Sequence, residues 1–207
     1  MIKAAAATIY LASRSPRRRE LLRQIGITVD ILLLRADPKR GIDVDERPLS
    51  DETAEAHVMR VACAKAAIGW CNVLRRHLPP RPLLAADTIV VLDGEIIGKP
   101  KSLLEAEQIL RRLSGRRHQV FTAVAAIHEE HTASVLSCSS VEFRELDTHE
   151  IERYAATREP LDKAGAYGLQ GRAAVFVRAI TGSPSGIVGL PLFETALLLR
   201  EFGIVAI

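Results

Sequence analysis

The segment from Leu83 to Leu92 restricts the possible folds of this chain more than any other feature. It reads LLAADTIVVL, so both of its faces are apolar except at Asp87 and Thr88. A strand that is apolar on both faces is typical of a sheet covered by helices on each side. The segment therefore predicts a central strand in an α/β protein.

Strands and helices are predicted to alternate on either side of this segment. Short apolar runs predict the strands, and capping residues before apolar positions at helical spacing predict the helices. Asp93-Gly94 predicts a hairpin turn, so the sheet is mixed rather than purely parallel. The predicted strands are 7–12, 28–34, 83–92, 95–97, 120–127, 133–143 and 173–180, and the predicted helices are 16–26, 51–77, 102–115, 147–157 and 191–203.

The length of 207 residues corresponds to one large domain, or to two lobes that share a core. No shift in composition marks a boundary along the chain. The Pro-rich segment 79–82 is the best position for a join between lobes. We therefore expect a single domain, 1–207, and a join near 79–82 if it has two lobes.

Composition and charge exclude several functional classes. The net charge is +3, from 28 basic and 25 acidic residues, and 48% of residues are hydrophobic, which argues against a disordered chain. Aromatic residues are only 4%, which disfavours a nucleic-acid partner. No apolar run reaches the roughly 18 residues of a membrane span. We read no signal peptide, so we expect a cytoplasmic protein without a membrane partner.

A candidate anion site lies between the first predicted strand and the first predicted helix. Free N–H groups and the positive end of the helix dipole meet at such a position. Serine hydroxyls and guanidinium groups are donors that match phosphate oxygens. The alternative is a capped surface helix with solvated arginines. The candidate residues, in the segment SRSPRR, are Ser13, Ser15, Arg17 and Arg18.

Asp87 is the second candidate, because it interrupts the most apolar strand of the chain. A carboxylate in that environment is costly unless it is paired, hydrogen-bonded or bound to a cation. Titratable groups placed in this way are often found in functional sites. The alternative is a structural aspartate that bonds only to the backbone.

Two lysines and two loop carboxylates are further candidates. Lys65 follows Val58 by two helical turns and therefore projects from nearly the same face, where it either snorkels out or reaches an acidic group. Lys99, in Gly98-Lys99-Pro100, could reach the same place or be an exposed loop residue. Asp45 and Glu46 are usually solvated in such a loop, but with Asp87 they could hold Mg²⁺.

Taken together, these segments resemble the Maf family of nucleoside triphosphate pyrophosphatases over nearly the whole chain. SRSPRRRELL at 13–22 is similar to the N-terminal signature of the family, and the acidic pair at 45–46 falls where the family has one. The most specific part is Ala86-Asp87-Thr88 followed by Gly98-Lys99-Pro100. The other matching segments are AKA at 64–66, LSG at 113–115, HQV at 118–120, TAV at 122–124, DKAGAYGLQG at 162–171 and VGLPL at 188–192.

The resemblance implies hydrolysis of a nucleoside triphosphate to the monophosphate and pyrophosphate. It also implies an inosine triphosphate pyrophosphatase-like fold with two lobes around a cleft, and a homodimer. The segment 162–171 looks like the branch that acts on dTTP and UTP rather than on 7-methylguanosine triphosphate. By that similarity Arg17, Thr88 and Gln170 set the choice of base, and Asp87 is the catalytic acceptor. The segment 182–186 departs from many relatives, which carry a tyrosine or an asparagine there.

The expected mechanism is in-line attack of water on the α-phosphorus. Arg18, Lys65, Lys99 and a divalent metal held by Glu46 and Asp87 would stabilise the charge that develops. The metal is expected to be Mg²⁺, with Mn²⁺ or Co²⁺ as alternatives. Asp87 would be a general base or chiefly a metal ligand, and the sequence does not separate these roles.

Two other classes of function remain open at this point. One is a non-catalytic nucleotide-binding regulator of cell division, and the other is a nucleic-acid-binding module that uses the arginine pairs. A pyrophosphatase for other or modified nucleotides is the alternative within the enzyme class.

Overall fold

The structure is a computed structural model, and it describes residues 8–35 and 43–207. These residues form a mixed seven-stranded sheet with flanking helices, which confirms the predicted α/β class. The strands are β1 (Thr8–Leu11), β2 (Thr28–Ile31), β3 (Leu83–Leu92), β4 (Glu95–Ile97), β5 (Arg117–His128), β6 (His131–Phe143) and β7 (Val177–Thr181). The helices are α1 (Pro16–Gln24), α2 (Ala54–Arg75), α3 (Leu103–Leu113), α4 (Thr148–Ala156), α5 (Pro184–Val188) and α6 (Leu192–Arg200).

Local signals in the sequence account for where the helices begin. The side chains of Ser15, Ser102 and Asp147 each accept a hydrogen bond from the backbone N–H three residues later, as expected of N-caps. Thr53 does the same for α2, so this helix begins slightly later than the predicted residue 51. Ala7, the first residue of the first predicted strand, lies outside the described residues.

Contacts divide the chain into two compact units. The first unit comprises the residues up to Asp87 together with Ala123–Leu136 and Gly189–Ile207, and the second comprises Thr88–Thr122 and Ser137–Val188. The Pro-rich segment 79–82 lies inside the first unit, and the chain passes between the units at 87–88, 122–123, 136–137 and 188–189. Hydrogen bonds join the strands in the order β2-β1-β3-β5-β6-β7, with β4 paired to β3.

The first unit contains the parallel part of the sheet. Strand β1 pairs in parallel with β2 and with the beginning of β3, so that Leu11 is opposite both Ile31 and Leu84. Helix α2 packs closely on this part of β3, because a Cβ added at Gly69 would lie 2.8 Å from the Leu83 side chain. This packing places one face of α2 against the strand that carries Asp87.

The second unit contains antiparallel pairs and an aromatic core. Strands β3 and β4 form the predicted hairpin, and Asp93 and Gly94 both have positive φ in its turn. Strand β6 pairs antiparallel with β7. The rings that meet edge to face in the core belong to His118, Phe143, Tyr154, Tyr167 and Phe176.

Two predictions near the C-terminus are wrong. The predicted strand 173–180 is a 3₁₀-helix at Arg172–Phe176 followed by β7, because Ala173 and Phe176 are buried at a spacing of three residues. The predicted loop 181–189 contains the short helix α5. Ser183 caps this helix by accepting the Gly186 N–H, the same Ser-Pro signal that opens α1.

Candidate active site

Asp87 lies in a charged cluster of the first unit. The Nζ of Lys65 is 2.8 Å from Oδ1 of Asp87 and 2.8 Å from Oε1 of Glu46. The side chains of Lys65 and Asp87 are each only 14% exposed, whereas that of Glu46 is 54% exposed. The carboxylate in the apolar strand is therefore paired with a cation, as its burial requires.

The position of Lys65 follows from the apolar stripe of α2. Val58, Val61 and Ala62 on this helix are fully buried, and Lys65 is two turns after Val58. Its side chain therefore leaves the helix on the buried side and meets β3. Of the two alternatives for Lys65, contact with an acidic group is confirmed.

Arg18 contacts the backbone next to Asp87. Its Nη1 donates to the Ala86 carbonyl at 2.7 Å and to Oγ of Ser13 at 3.4 Å, and its Nε donates to the Gly189 carbonyl at 2.8 Å. Burial lowers the pKa of the Arg18 guanidinium, while the charges of Asp87 and Glu46 oppose that shift. A guanidinium remains protonated in proteins, so Arg18 brings a fixed positive charge to the cluster.

The N-terminus of α1 adds backbone donors to the same unit. Ser15 is the N-cap, and its Oγ accepts from the Arg18 N–H at 3.4 Å. The Ser15 N–H donates to Oγ of Ser13 at 3.1 Å. Arg17 lies in the first turn of the helix and is partly buried. The segment 13–18 thus carries hydroxyls, guanidinium groups and helix-terminal N–H groups, which together suit an anion.

Only one carboxylate of the predicted acidic pair contacts Lys65. Asp45 instead pairs with Arg47, whose Nη2 is 2.6 Å from its Oδ2, and the hydrogen bonds of Arg47 hold the pKa of Asp45 well below its usual range. Glu46 is therefore the loop carboxylate that can act together with Asp87.

Three candidate residues belong to the second unit. Oγ1 of Thr88 is 2.9 Å from Oγ1 of Thr122, which donates to the Gly186 carbonyl at 2.8 Å. Because Thr122 has only one hydroxyl proton, Thr88 is the donor in the first of these bonds. Lys99 is exposed, and the carbonyl of the preceding Gly98 accepts the Gly165 N–H at 3.2 Å.

Gln170, the third of these, is exposed in a tight turn. The Gly171 N–H donates to the Gly168 carbonyl at 3.0 Å, so Leu169 and Gln170 are the two central residues of a β-turn. This turn lies in the segment 162–171, DKAGAYGLQG, which resembles the Maf family.

Sequence reasoning did not find three residues that contribute to these contacts. Ala86 and Gly189 act through their carbonyl oxygens, which any residue type could supply. Thr122 is 1% exposed and holds Thr88. Its signals were a polar residue within the apolar run 120–127 and its place in the matching segment TAV at 122–124.

The donor set of Glu46 and Asp87 is compatible with a hard divalent cation. Both carboxylates reach one point, the Nζ of Lys65, and Mg²⁺ is typically held by one or two carboxylates together with water and substrate phosphates. Residues 8–35 and 43–207 contain no group of three or more His, Cys, Asp or Glu that could hold a metal. A metal held by Glu46 and Asp87 would therefore complete its coordination with water or substrate oxygens.

A family model described as Maf-like protein matches residues 8–202. The chain belongs to the Maf family. This confirms the resemblance seen in the sequence motifs, and it covers nearly all of both units.

Relatives with high identity have a shared name. A Nitrosomonas europaea protein named dTTP/UTP pyrophosphatase is 52% identical over 99% of both chains. Proteins with the same name from Dechloromonas aromatica and Aromatoleum aromaticum are 53% and 54% identical, over 94% and 95% of this chain and 97% and 96% of their own. Among solved structures, the Ham1 protein of Staphylococcus aureus matches with a TM-score of 0.41 and 17% identity, over 66% of this chain and 71% of that chain.

None of the helices in the described part of the chain is long and apolar enough to cross a membrane.

Proposed function

We propose that the protein hydrolyses dTTP and UTP to the monophosphate and pyrophosphate. The observation that carries this proposal is the pairing of Asp87 with Lys65 beside Arg18 and the N-terminus of α1. A buried acid among fixed cations is an arrangement that can bind a triphosphate and activate water next to it. The names of the relatives and membership of the Maf family support the choice of substrate.

Residues of the first unit bind the triphosphate in this proposal. Ser13 and Ser15 offer hydroxyls, and the N–H groups of the first turn of α1 are donors aligned with the helix dipole. Arg18 and Lys65 supply positive charge to the phosphate oxygens and to the pyrophosphate that leaves. Lys99 adds a further cation in this proposal.

Asp87 acts on the attacking water. One of its oxygens accepts the Lys65 hydrogen bond, and a carboxylate has a second oxygen that can accept a proton. The water proton would pass to Asp87 while the water oxygen forms its bond to the α-phosphorus. Such general-base catalysis typically increases the rate by about 10²–10⁴-fold. The electron pair of the breaking Pα–O bond leaves with pyrophosphate.

Glu46 and Asp87 would hold the divalent metal, Mg²⁺ or alternatively Mn²⁺ or Co²⁺. A bound cation would neutralise phosphate charge and polarise the reacting phosphorus. The residues fit this role because their oxygens converge on one cationic point, where the Lys65 ammonium now lies.

Arg17, Thr88 and Gln170 select the base. The side-chain amide of Gln170 offers one carbonyl acceptor beside one N–H₂ donor. Thymine and uracil share an N3–H donor beside a carbonyl acceptor, which is the complementary pattern. Cytosine presents the reverse pattern, an N3 acceptor beside an N4–H₂ donor, which matches the amide only when it is turned by 180°. Discrimination therefore requires that the amide is held in one orientation.

The cytoplasmic location and the homodimer stay predictions. A cytoplasmic enzyme with this activity would meet its nucleotide substrates directly. Sedimentation of the purified protein would establish its oligomeric state.

A panel of nucleoside triphosphates tests the proposal. The protein is incubated with Mg²⁺ and dTTP, UTP, CTP, the purine triphosphates or 7-methylguanosine triphosphate, and pyrophosphate is measured. We expect the fastest release from dTTP and UTP. Faster release from 7-methylguanosine triphosphate would assign the protein to the other branch of the Maf family. Nucleotide binding without any release of pyrophosphate would indicate a non-catalytic regulator.

A further inference from the structure

The carboxylate of Glu159, in a 3₁₀-turn of the second unit, is hydrogen-bonded to Tyr154 of α4 and to the backbone at Arg172. Glu159 begins the 3₁₀-turn Glu159–Asp162, which follows α4. Its Oε1 accepts the hydroxyl of Tyr154 at 3.1 Å, and its Oε2 accepts the backbone N–H of Arg172 at 3.3 Å. Because Tyr154 is only 4% exposed, the carboxylate is anchored to the aromatic core on one side.

The glycines on either side of Leu169 and Gln170 make room for this anchor. A Cβ added at Gly171 would lie 1.9 Å from Oε1 of Glu159, and one at Gly168 would lie 2.7 Å from Cε of Lys163. Gly171 has a φ of −104°, which any residue can adopt, so the backbone conformation does not require glycine there. The position of the Glu159 side chain does require it.

Lys163 holds the other side of the same turn. Its Nζ donates to the Glu159 carbonyl at 2.5 Å and its chain covers Gly168. The turn Gly168–Gly171 is thus in contact with Glu159 at one end and Lys163 at the other. Gln170 is exposed between these two fixed ends.

We propose that Glu159 is a positioning residue that fixes the turn carrying Gln170 and thereby sets the preference for bases with an N–H beside a carbonyl. The inference rests on the proposed function, in which Gln170 contacts the base. A side chain on a loose turn would have to be ordered when the nucleotide binds, at a cost in binding free energy. The carboxylate of Glu159 orders the backbone beforehand, so that in this proposal the turn presents the amide of Gln170 to the base in one orientation, which uracil matches and cytosine does not.

Truncation of Glu159 is the first test. In Glu159→Ala both acceptor oxygens are lost, and we expect the ratio of kcat/KM for UTP to that for CTP to fall about tenfold, the equivalent of one oriented hydrogen bond. In Glu159→Gln the amide oxygen can still accept the Arg172 N–H while the amide N–H₂ donates to Tyr154, so most of the preference should return. The ratio is the readout, because a general loss of folded protein lowers both activities equally.

Glu150→Gln is the matched control for loss of a carboxylate. Glu150 lies in α4 of the same unit and pairs with Arg144, away from the turn. We expect this variant to melt at a lower temperature than the wild type while its UTP-to-CTP ratio stays unchanged. A fall in the ratio in this control would mean that the preference follows stability, which would overturn the inference.

Gly171→Ala tests the same contact without removing the carboxylate. The added methyl group has to displace the Glu159 side chain, so the ratio should fall as it does in Glu159→Ala. Gly98→Ala is its control, because nothing lies within 4 Å of the added Cβ. This variant should retain the wild-type ratio.

Binding of UTP and CTP, measured by calorimetry on the same proteins, separates the two proposals. If the wild type releases pyrophosphate and Glu159→Ala retains the full UTP preference, the inference is wrong and the proposed function stands. If the wild type binds UTP over CTP without cleavage, the proposed function is wrong, and the binding ratio of Glu159→Ala decides the inference. If the wild type neither binds UTP or CTP nor releases pyrophosphate from them, both proposals are wrong.

Discussion

The polar groups of the two units are held in different ways. In the first unit, Lys65 is paired with Asp87 and Glu46, so the buried groups are charged and compensate one another. In the second unit, His118 Nε2 lies 2.9 Å from the Tyr167 hydroxyl, and burial lowers the pKa of His118 to about 4 and raises that of Tyr167, so both groups are neutral.

Each arrangement suits a different kind of chemical group. A triphosphate is highly anionic, and cations that are already positioned stabilise charge that moves during its hydrolysis. A pyrimidine base is neutral and is distinguished by directional hydrogen bonds, which neutral hydroxyls and amides provide. We therefore expect substitutions at Asp87 and Lys65 to change rate, and substitutions at His118 and Thr122 to change stability.

The largest effect is expected for Asp87→Asn. The amide can still accept the Lys65 hydrogen bond, but it cannot take a proton from water. We expect kcat to fall by about 10²–10⁴-fold while nucleotide binding survives, as measured by pyrophosphate release and calorimetry. Asp93→Asn, in the β3–β4 turn where asparagine also tolerates positive φ, is the matched control and should retain activity.

Lys65→Met should have the next largest effect. Methionine keeps the length of the side chain but leaves Asp87 and Glu46 without their shared cation. Loss of one donor to the reacting group typically costs about 10²–10³-fold in rate, and we expect kcat/KM for dTTP to fall in that range. Lys65→Arg keeps the charge and should lose less. Wild-type kcat/KM in Lys65→Met would show that this cation has no part in the chemistry.

Acidification should lower the free energy of unfolding through protonation of His118. Its pKa is about 4 when folded and about 6.5 when unfolded, so the unfolded chain binds the proton more tightly. The free energy of unfolding should therefore begin to fall below pH 6.5 and lose about 3 kcal/mol by pH 4 from this group. Urea unfolding at pH 7 and pH 4 measures it.

His118→Gln should reduce this loss, because glutamine keeps a hydrogen-bonding group but does not titrate in this range. His149→Gln is the control, since the side chain of His149 is 89% exposed. If the free energy of unfolding depends on pH in the same way in the wild type and in His118→Gln, His118 is not a buried neutral group.

A smaller effect is expected for Thr122→Val. Valine has nearly the same shape, but it removes the hydroxyl that donates to the buried Gly186 carbonyl and accepts from Thr88. The expected loss is about 1–3 kcal/mol in the free energy of unfolding. Thr122→Ser keeps the hydroxyl and should recover most of it. Equal stability of the valine and serine variants would show that the hydroxyl chain contributes nothing.

The sequence predicted the elements best where the determining interactions are local. The strand 83–92 coincides with β3, and the caps at Ser15, Ser102 and Asp147 are observed. Helical spacing predicted that Lys65 projects from the apolar side of α2, because this helix has a continuous buried face, but it left open whether the side chain snorkels out or reaches an acidic group. Ser183-Pro184 also indicates the start of a helix, but the segment 181–189 that contains it was predicted to be a loop.

Contacts between residues that are distant in the chain were harder to predict from the sequence. Arg18 bonds to carbonyl oxygens of Ala86 and Gly189, which have no signature in residue type. The space that Gly171 leaves for Glu159 depends on how the segment 159–172 folds back, and glycine spacing alone does not predict that. The 3₁₀-helix at Arg172–Phe176 resembled a strand because short apolar runs are ambiguous.

Hydrolysis of dTTP in water labelled with ¹⁸O tests the central claim most directly. If water that is activated beside Asp87 attacks the α-phosphorus, the label enters the thymidine monophosphate and the pyrophosphate stays unlabelled. Mass spectrometry of both products distinguishes these outcomes. Label in pyrophosphate, or release of inorganic phosphate and a nucleoside diphosphate, would contradict the account.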